Sequence, residues 1–439
     1  MNTYSSFIFK DYSFDEGSKT LKMHYGIDDA FSFTETYKFD FEFAKNINPE
    51  LLERALTSLF YVAGVSYYKT FVPKNIVPSS KHPIDQPMAE FLSRTYRKGL
   101  GEFFYVNKID PKTPVLFPAN ATKNFAPIRN SSTGGKLVGL GGGKDSLVTV
   151  EMLKNQNEDF ATWSVGHKSQ LEPLVNKIGK PHFYVEREWD QQLLSIENHG
   201  AMNGHVPISA VFACVGFAVA VLSGRQDVIV SNEQSANEPT LQYQGTDINH
   251  QYSKSQIFEQ DFQNFLQHVA GDGVRYYSFL RSLSELRIAE IFAQTGFETY
   301  KDVFSSCNRA YTHDQNHMFW CGECSKCAFV FLALTPFVER AKLESLWHGK
   351  NLLLDSSLQN TYKKLLGIEG EKPLDCVGEI KESRAAMKLA EEIYPELKQK
   401  YVFELPDDYD YKKVFSNEMP PEIQKIFTAA LDSASHMPE

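Results

Sequence analysis

Residues 136–153, KLVGLGGGKDSLVTVEML, decide how this chain is read. An apolar run, three consecutive glycines, Lys-Asp-Ser and a second apolar run predict a strand, a tight loop and a helix, an arrangement suited to holding an anion. Different glycine loops serve different chemistry, and spacing separates them. A dinucleotide loop needs Gly-x-Gly-x-x-Gly; counted from Gly139 its last position falls on Lys144, and from Gly141 on Ser146. A P-loop needs glycine where Val138 stands, and Ser or Thr where Asp145 stands. Both readings fail.

The stretch Gly141-Gly142-Gly143-Lys144-Asp145-Ser146 instead resembles SGGxDS, the pyrophosphatase (PP) loop of enzymes that split ATP between its α and β phosphates. The one departure is Gly141 in place of serine. The glycines let backbone N–H groups approach a phosphate, the helix beginning at Ser146 adds its positive end, and Lys144 adds a charge. Asp145 is expected to orient the loop or to hold Mg²⁺ beside pyrophosphate. The resemblance further implies adenine contacts at Ser164 and Val165, and a crevice contribution from Ser231, Asn232 and Glu233.

The 439 residues are 42% hydrophobic, enough for two or three domains. Lys plus Arg number 45 against 55 Asp plus Glu, so the net charge of −10 disfavours a nucleic-acid partner. The start MNTYSSFIFKDYSFDEG has no secretory pattern, and the longest apolar run, Ala210–Leu222, is too short for a bilayer; a cytoplasmic protein is expected, with no membrane partner. Alternating residues in 20–41 predict a hairpin, and a helix is expected over 49–68. The Pro-, Asn- and Ser-rich run 110–135 reads as a linker. Beyond it strands and helices alternate (KLVGL, ATWSVG, HFYVE, DVIVS), which calls for an α/β fold with a Rossmann-like parallel sheet. The expected organisation is an N-terminal α+β domain over 1–134, a PP-loop ATP-binding domain of the adenine nucleotide alpha hydrolase-like kind over 135–339, and a helical region over 340–439.

Cys307, Cys321, Cys324 and Cys327, spaced C-x13-C-x2-C-x2-C, suit a closed tetrahedral zinc site of structural type. The 7-cyano-7-deazaguanine synthases carry a similar loop, a similar cluster and a segment like GHVPISA (204–210). More of the chain resembles the ATP-dependent UDP-N-acetylmuramoyl-L-alanyl-L-glutamate epimerases: LKMHYGIDDAFSFTETYKF, GLGGGKDS, HVPISA, VIVSNEQSAN, INHQYSKS, RSLSELRIAEIF, SSCNRA, WCGECSKCAFVFLAL and LDCVGEIKES. That resemblance implies epimerisation of the terminal L-Glu of a nucleotide-sugar peptide in peptidoglycan precursor synthesis. It also implies an acyl-adenylate route that consumes ATP with Mg²⁺ and releases AMP and pyrophosphate. The other reading is a different adenylating enzyme, deazaguanine-synthase-like or amide-forming. Proton transfer has several candidates in this sequence: His205, Glu233, His250, Lys254 and the isolated Cys376. Substrate carboxylates or phosphates have Arg281, Arg309, His250 and Lys254 as candidate partners.

Overall fold

The computed structural model describes residues 4–126, 128, 134–312 and 315–435. The hairpin expected over 20–41 is present as β2 (Thr20–Ile27) and β3 (Phe31–Asp40), preceded by β1 (Ser6–Asp15), which pairs with β2. A short strand, β4 (Asn75–Val77), lies parallel to β1. Then come β5 (Lys136–Gly139), β6 (Phe160–Val165), β7 (His182–Glu188), β8 (Asp227–Val230) and β11 (Arg275–Ser278), with a small separate hairpin, β9 (Leu241–Tyr243) and β10 (Thr246–Ile248), before the last.

All but the small hairpin form one nine-stranded sheet, ordered β11-β8-β5-β6-β7-β3-β2-β1-β4. The five strands from β11 to β7 are parallel, and in chain order they run 3-2-1-4-5 across the sheet. The order reverses between β5 and β8, where a crevice opens at the carboxyl ends of the strands. Strand β3 joins β7 antiparallel, so the sheet is continuous from the N-terminal meander into the parallel part. The expected boundary at 134 adjoins residues 129–133, which lie outside the described residues.

The period of two places successive residues on opposite faces. Leu137, Ala161, Val228 and Tyr276 lie side by side and face one core; Val138, Ile229 and Tyr277 face the other. Helices Pro49–Ala63, Ile208–Ser223 and Gln256–Ala270 cover the first face. The second is covered by helices Lys144–Asn155, Glu285–Thr295 and Ser325–Leu334. Helices Ile380–Ile393 and Pro421–Ser435, from the C-terminal stretch, pack into that same layer, against Ser325–Leu334 and Lys144–Asn155. Helix Ile208–Ser223 is apolar all round because it is buried, and no helix among the described residues is long and apolar enough to cross a membrane.

A buried ion pair fastens the antiparallel part of the sheet to the parallel part. Arg187 on β7 donates from Nε to Oε1 of Glu35 on β3 at 2.8 Å, and Tyr37 donates to the same oxygen at 2.7 Å. Glu35 is wholly buried, so removing its counter-charge leaves an uncompensated carboxylate. Arg187→Met is expected to lower the unfolding free energy by about 3 kcal/mol, and Glu35→Leu added to it should restore most of that loss. Denaturant titration of the three proteins measures this; equal stability of all three would contradict it.

Candidate active site

At the carboxyl ends of β5, β6 and β8 lies a cavity of about 530 Å³, large enough for a nucleotide-sized ligand. The glycine loop forms its floor, and Trp163, Ser164 and Val165 of β6 face Ser231 and Asn232 after β8 across it. Lys254, Lys326 and Cys376 close the remaining side.

The loop has the shape that its residues require. Gly142 sits at φ +83°, and a Cβ there would lie 2.0 Å from Tyr311 Oη. A Cβ on Gly141 meets nothing within 4 Å, so this position has room for the serine usual in the resembling loops. The helix starts at Lys144, two residues earlier than expected, with Gly143 as its N-cap. Free N–H groups of its first turn therefore belong to the loop itself. Ser146 Oγ donates to Gly143 O at 3.1 Å, and Ser231 shares a 2.8 Å hydrogen bond with Thr149.

Lys144 does not point into open solvent. Its buried ammonium donates to Asp145 at 2.5 Å and to Glu285. Burial opposes its charge, but the two carboxylates more than restore it and raise its pKa. Asp145, Glu233 and Glu285 bring one carboxylate oxygen each within 4.8 Å of one another, a set of hard donors suited to a divalent cation. Burial drives the pKa of Asp145 up, yet Lys144, Lys326 and Lys254 outweigh it and hold Asp145 below its usual value. Glu285 is shifted the other way, by burial first and then by Asp145.

Cys376 occupies a second charged cluster. Lys254 Nζ donates to its Sγ at 3.2 Å, and His250 Nε2 lies 3.9 Å from the same sulfur. Burial raises the thiol pKa, but Lys254, His250 and Lys326 bring it down to about 6. For His250, burial is outweighed by Cys376 and by Glu102, which contacts Nδ1, and the ring is raised to about 9. His205 approaches the same Glu102 oxygen, at 3.6 Å; burial and the His250 charge hold it at about 4. A sulfur 3.2 Å from an ammonium and 3.9 Å from an imidazole nitrogen is an environment that favours a thiolate.

The four cysteines converge. Cys307 and Cys324 sulfurs are 3.9 Å apart and those of Cys321 and Cys327 3.7 Å, all four within 4.8 Å of one another. A tetrahedron with bonds of ~2.3 Å to sulfur has edges of ~3.8 Å, whereas a disulfide needs ~2.05 Å, so the donor set fits a tetrahedral soft metal. Neighbours of these cysteines reach into the cavity. Ser305 N donates to Gly142 O at 3.0 Å, and Tyr311 Oη to Gly141 O at 2.9 Å. Asn308 donates to Asp375 at 2.7 Å, Ser325 also donates to Asp375, and Lys326 donates to the carbonyl of Cys376.

Two expected contacts are placed elsewhere. Arg281 is 1% exposed and lies off the cavity; it donates to Glu259 at 3.0 and 2.8 Å and to the carbonyls of Glu233 and Lys254 at 2.6 and 2.5 Å. It holds two cavity loops rather than facing a ligand. Arg309 pairs with Glu323 on the surface at 2.5 Å. Residues not singled out in the sequence are Glu102, Glu285, Lys326 and Asp375; Glu285, Lys326 and Asp375 lie inside the stretches RSLSELRIAEIF, WCGECSKCAFVFLAL and LDCVGEIKES, whereas Glu102 lies in none of the stretches quoted.

Fold and site together define an α/β protein with a ligand cavity at the reversal point of its parallel sheet. The MurL N-terminal domain matches residues 1–279 and the MurL C-terminal domain residues 303–414. A relative from Xanthomonas oryzae pv. oryzae named UDP-N-acetyl-alpha-D-muramoyl-L-alanyl-L-glutamate epimerase is 40% identical over 344 residues, 77% of this chain and 75% of that protein. Proteins of the same name from Salinispora tropica and a Micromonospora species are both 36% identical, over 391 and 394 residues, each 88% of this chain and 84% and 87% of theirs. The chain belongs to the MurL family.

The glycine geometry makes an asymmetric prediction. Gly142→Ala should cost roughly 2 kcal/mol or more, from the clash with Tyr311 and the positive φ, whereas Gly141→Ser should stay within about 0.5 kcal/mol of the parent. Denaturant midpoints decide it; an unaffected Gly142→Ala protein would contradict the loop geometry.

Proposed function

We propose that this protein epimerises the terminal L-Glu of UDP-N-acetylmuramoyl-L-alanyl-L-glutamate to D-Glu, through an acyl adenylate formed from ATP. The observation that carries the reading is the pairing, in one cavity, of a glycine loop at a helix N-terminus with a half-buried thiol held among cations. An α-proton beside a free carboxylate is hardly acidic, because its removal builds a second negative charge on the same small group. Transfer of AMP to that carboxylate cancels the first charge and expels pyrophosphate. The α-carbon then yields its proton to an ordinary base, a proton returns to the other face of the planar enolate, and water hydrolyses the acyl adenylate to free D-Glu and AMP.

In this PP-loop reading, backbone N–H groups at Gly142–Asp145 hold the phosphates. Ser164, Val165, Ser231 and Asn232 line the wall that takes the nucleoside. Mg²⁺, when bound, neutralises charge on the departing pyrophosphate, and Asp145, Glu233 and Glu285 are the residues that would hold it. Zinc fits the four cysteines as a closed structural site. Cys376 takes the α-proton as thiolate and returns it as thiol, while Lys254 steadies the negative sulfur. His205 and His250 sit behind the thiol rather than in the cavity, so direct contact with substrate falls to Cys376 and Lys254.

Incubation with the nucleotide dipeptide, ATP and Mg²⁺ should yield AMP and D-Glu in step. Cys376→Ser should still release AMP but lower epimerisation by about 10²-fold or more, and Asp145→Asn should lower both. Elemental analysis should find about one zinc per chain. D-Glu formed without AMP would sink the adenylate route, and full epimerisation by Cys376→Ser would remove the thiol from it.

A further inference from the structure

A single carboxylate is shared by two histidines behind the cavity wall. Glu102 Oε2 contacts Nδ1 of His250 and lies 3.6 Å from Nδ1 of His205, and the two rings are 4.7 Å apart, centre to centre. None of the three lines the cavity, whereas Cys376, 3.9 Å from His250 Nε2, does. The contacts thus run inward from the cavity as thiol, imidazole, carboxylate. Three distant parts of the chain supply them: the helix Gly101–Val106, the turn after β10 and the segment before helix Ile380–Ile393.

We propose that Glu102 is a positioning residue for the proton-transfer step, acting through His250 on Cys376. Its carboxylate fixes the ring so that Nε2–H faces the sulfur, and it supplies the negative partner that keeps His250 charged. The inference rests on the reading of Cys376 as the group that exchanges the α-proton. In that step the thiolate takes the proton, the electron pair passes into the planar enolate, and return of the proton from the thiol to the opposite face of that enolate restores the thiolate and inverts the carbon. His250 remains an imidazolium throughout, so the charge that favours the thiolate is present in both directions. His205 is the contrast: it touches the same carboxylate, makes no contact with the sulfur, and is kept neutral by burial and the neighbouring imidazolium.

The charged groups facing this cluster are consistent with that division. Cys376 faces Lys254, His250 and Lys326; Lys254 in turn faces Glu233 and Asp145; His205 faces Glu102, His250, Lys69 and Lys254. Lys254 contacts the sulfur and Lys326 the carbonyl of Cys376, and the His250–Glu102 pair is the part of the field set by a titratable ring.

The test is the pH dependence of Cys376 alkylation by iodoacetamide, without ATP or substrate, with the modified site assigned by mass spectrometry. It compares the parent, Glu102→Gln, His250→Gln and the double variant. The parent midpoint is expected near 6, and each single variant should raise it by about one to two pH units. The double variant should rise no further than His250→Gln alone, because Glu102 acts through that ring. An unshifted midpoint in Glu102→Gln overturns the proposal, and so do additive shifts in the double variant. AMP formation by the parent, assayed separately, judges the adenylation reading and has no bearing on the alkylation result. Should Glu102→Gln fail to fold, Glu102→Asp, whose shorter carboxylate withdraws from Nδ1, must raise the midpoint in the same direction; an unshifted midpoint overturns the proposal equally.

Discussion

The segment from Ser305 to Asn308 fastens the two chemical halves of the cavity to each other. Ser305 N bonds to the carbonyl of Gly142, and Asn308 bonds to Asp375, the residue before Cys376. Between them stands Cys307, one of the four converging sulfurs. A shift of this segment moves the glycine loop and the thiol together. The four-cysteine centre is therefore the joint on which the floor and far wall of the cavity both depend, with Ser325 and Lys326, at the start of helix Ser325–Leu334, making the matching contacts.

Electrostatics divides the cavity. On the loop side, Asp145 and Glu285 pair with Lys144, Glu233 brings a third carboxylate close to theirs, and the burial of Lys144 and Glu285 is tolerable because they are paired. On the thiol side the excess is positive, from Lys254, Lys326 and His250, and it favours an anionic sulfur. Activation of a carboxylate needs the first environment, and removal of a proton from carbon needs the second. Lys254 faces both, since Cys376, Glu233 and Asp145 all act on its ammonium. This lysine places the two environments within one side chain's reach.

What the sequence made legible was what is local. The strand, glycine loop and helix around residues 136–155 follow from contiguous pattern, and the converging cysteines largely from spacings of two. The start of the helix was misplaced by two residues because Lys144 and Asp145 are polar, although they form its first turn. Long-range pairings had no such signature. Glu35 and Arg187 are 152 positions apart, and Glu102 and His250 148, so the continuity of the sheet and the carboxylate behind the histidines emerge only in three dimensions. Arg281 shows the complementary limit: residue type announced a cation able to bind carboxylate, but the carboxylate it binds in the fold is that of Glu259, inside the protein.

The central claim is that the α-carbon becomes acidic only after its carboxylate is joined to AMP. Running the reaction in D₂O and reading deuterium at the glutamyl α-carbon by mass spectrometry tests it directly. The account predicts incorporation with ATP and Mg²⁺ present, and none when ATP is omitted or replaced by an analogue with a methylene bridge between the α and β phosphorus atoms. Incorporation at an undiminished rate without ATP would contradict it.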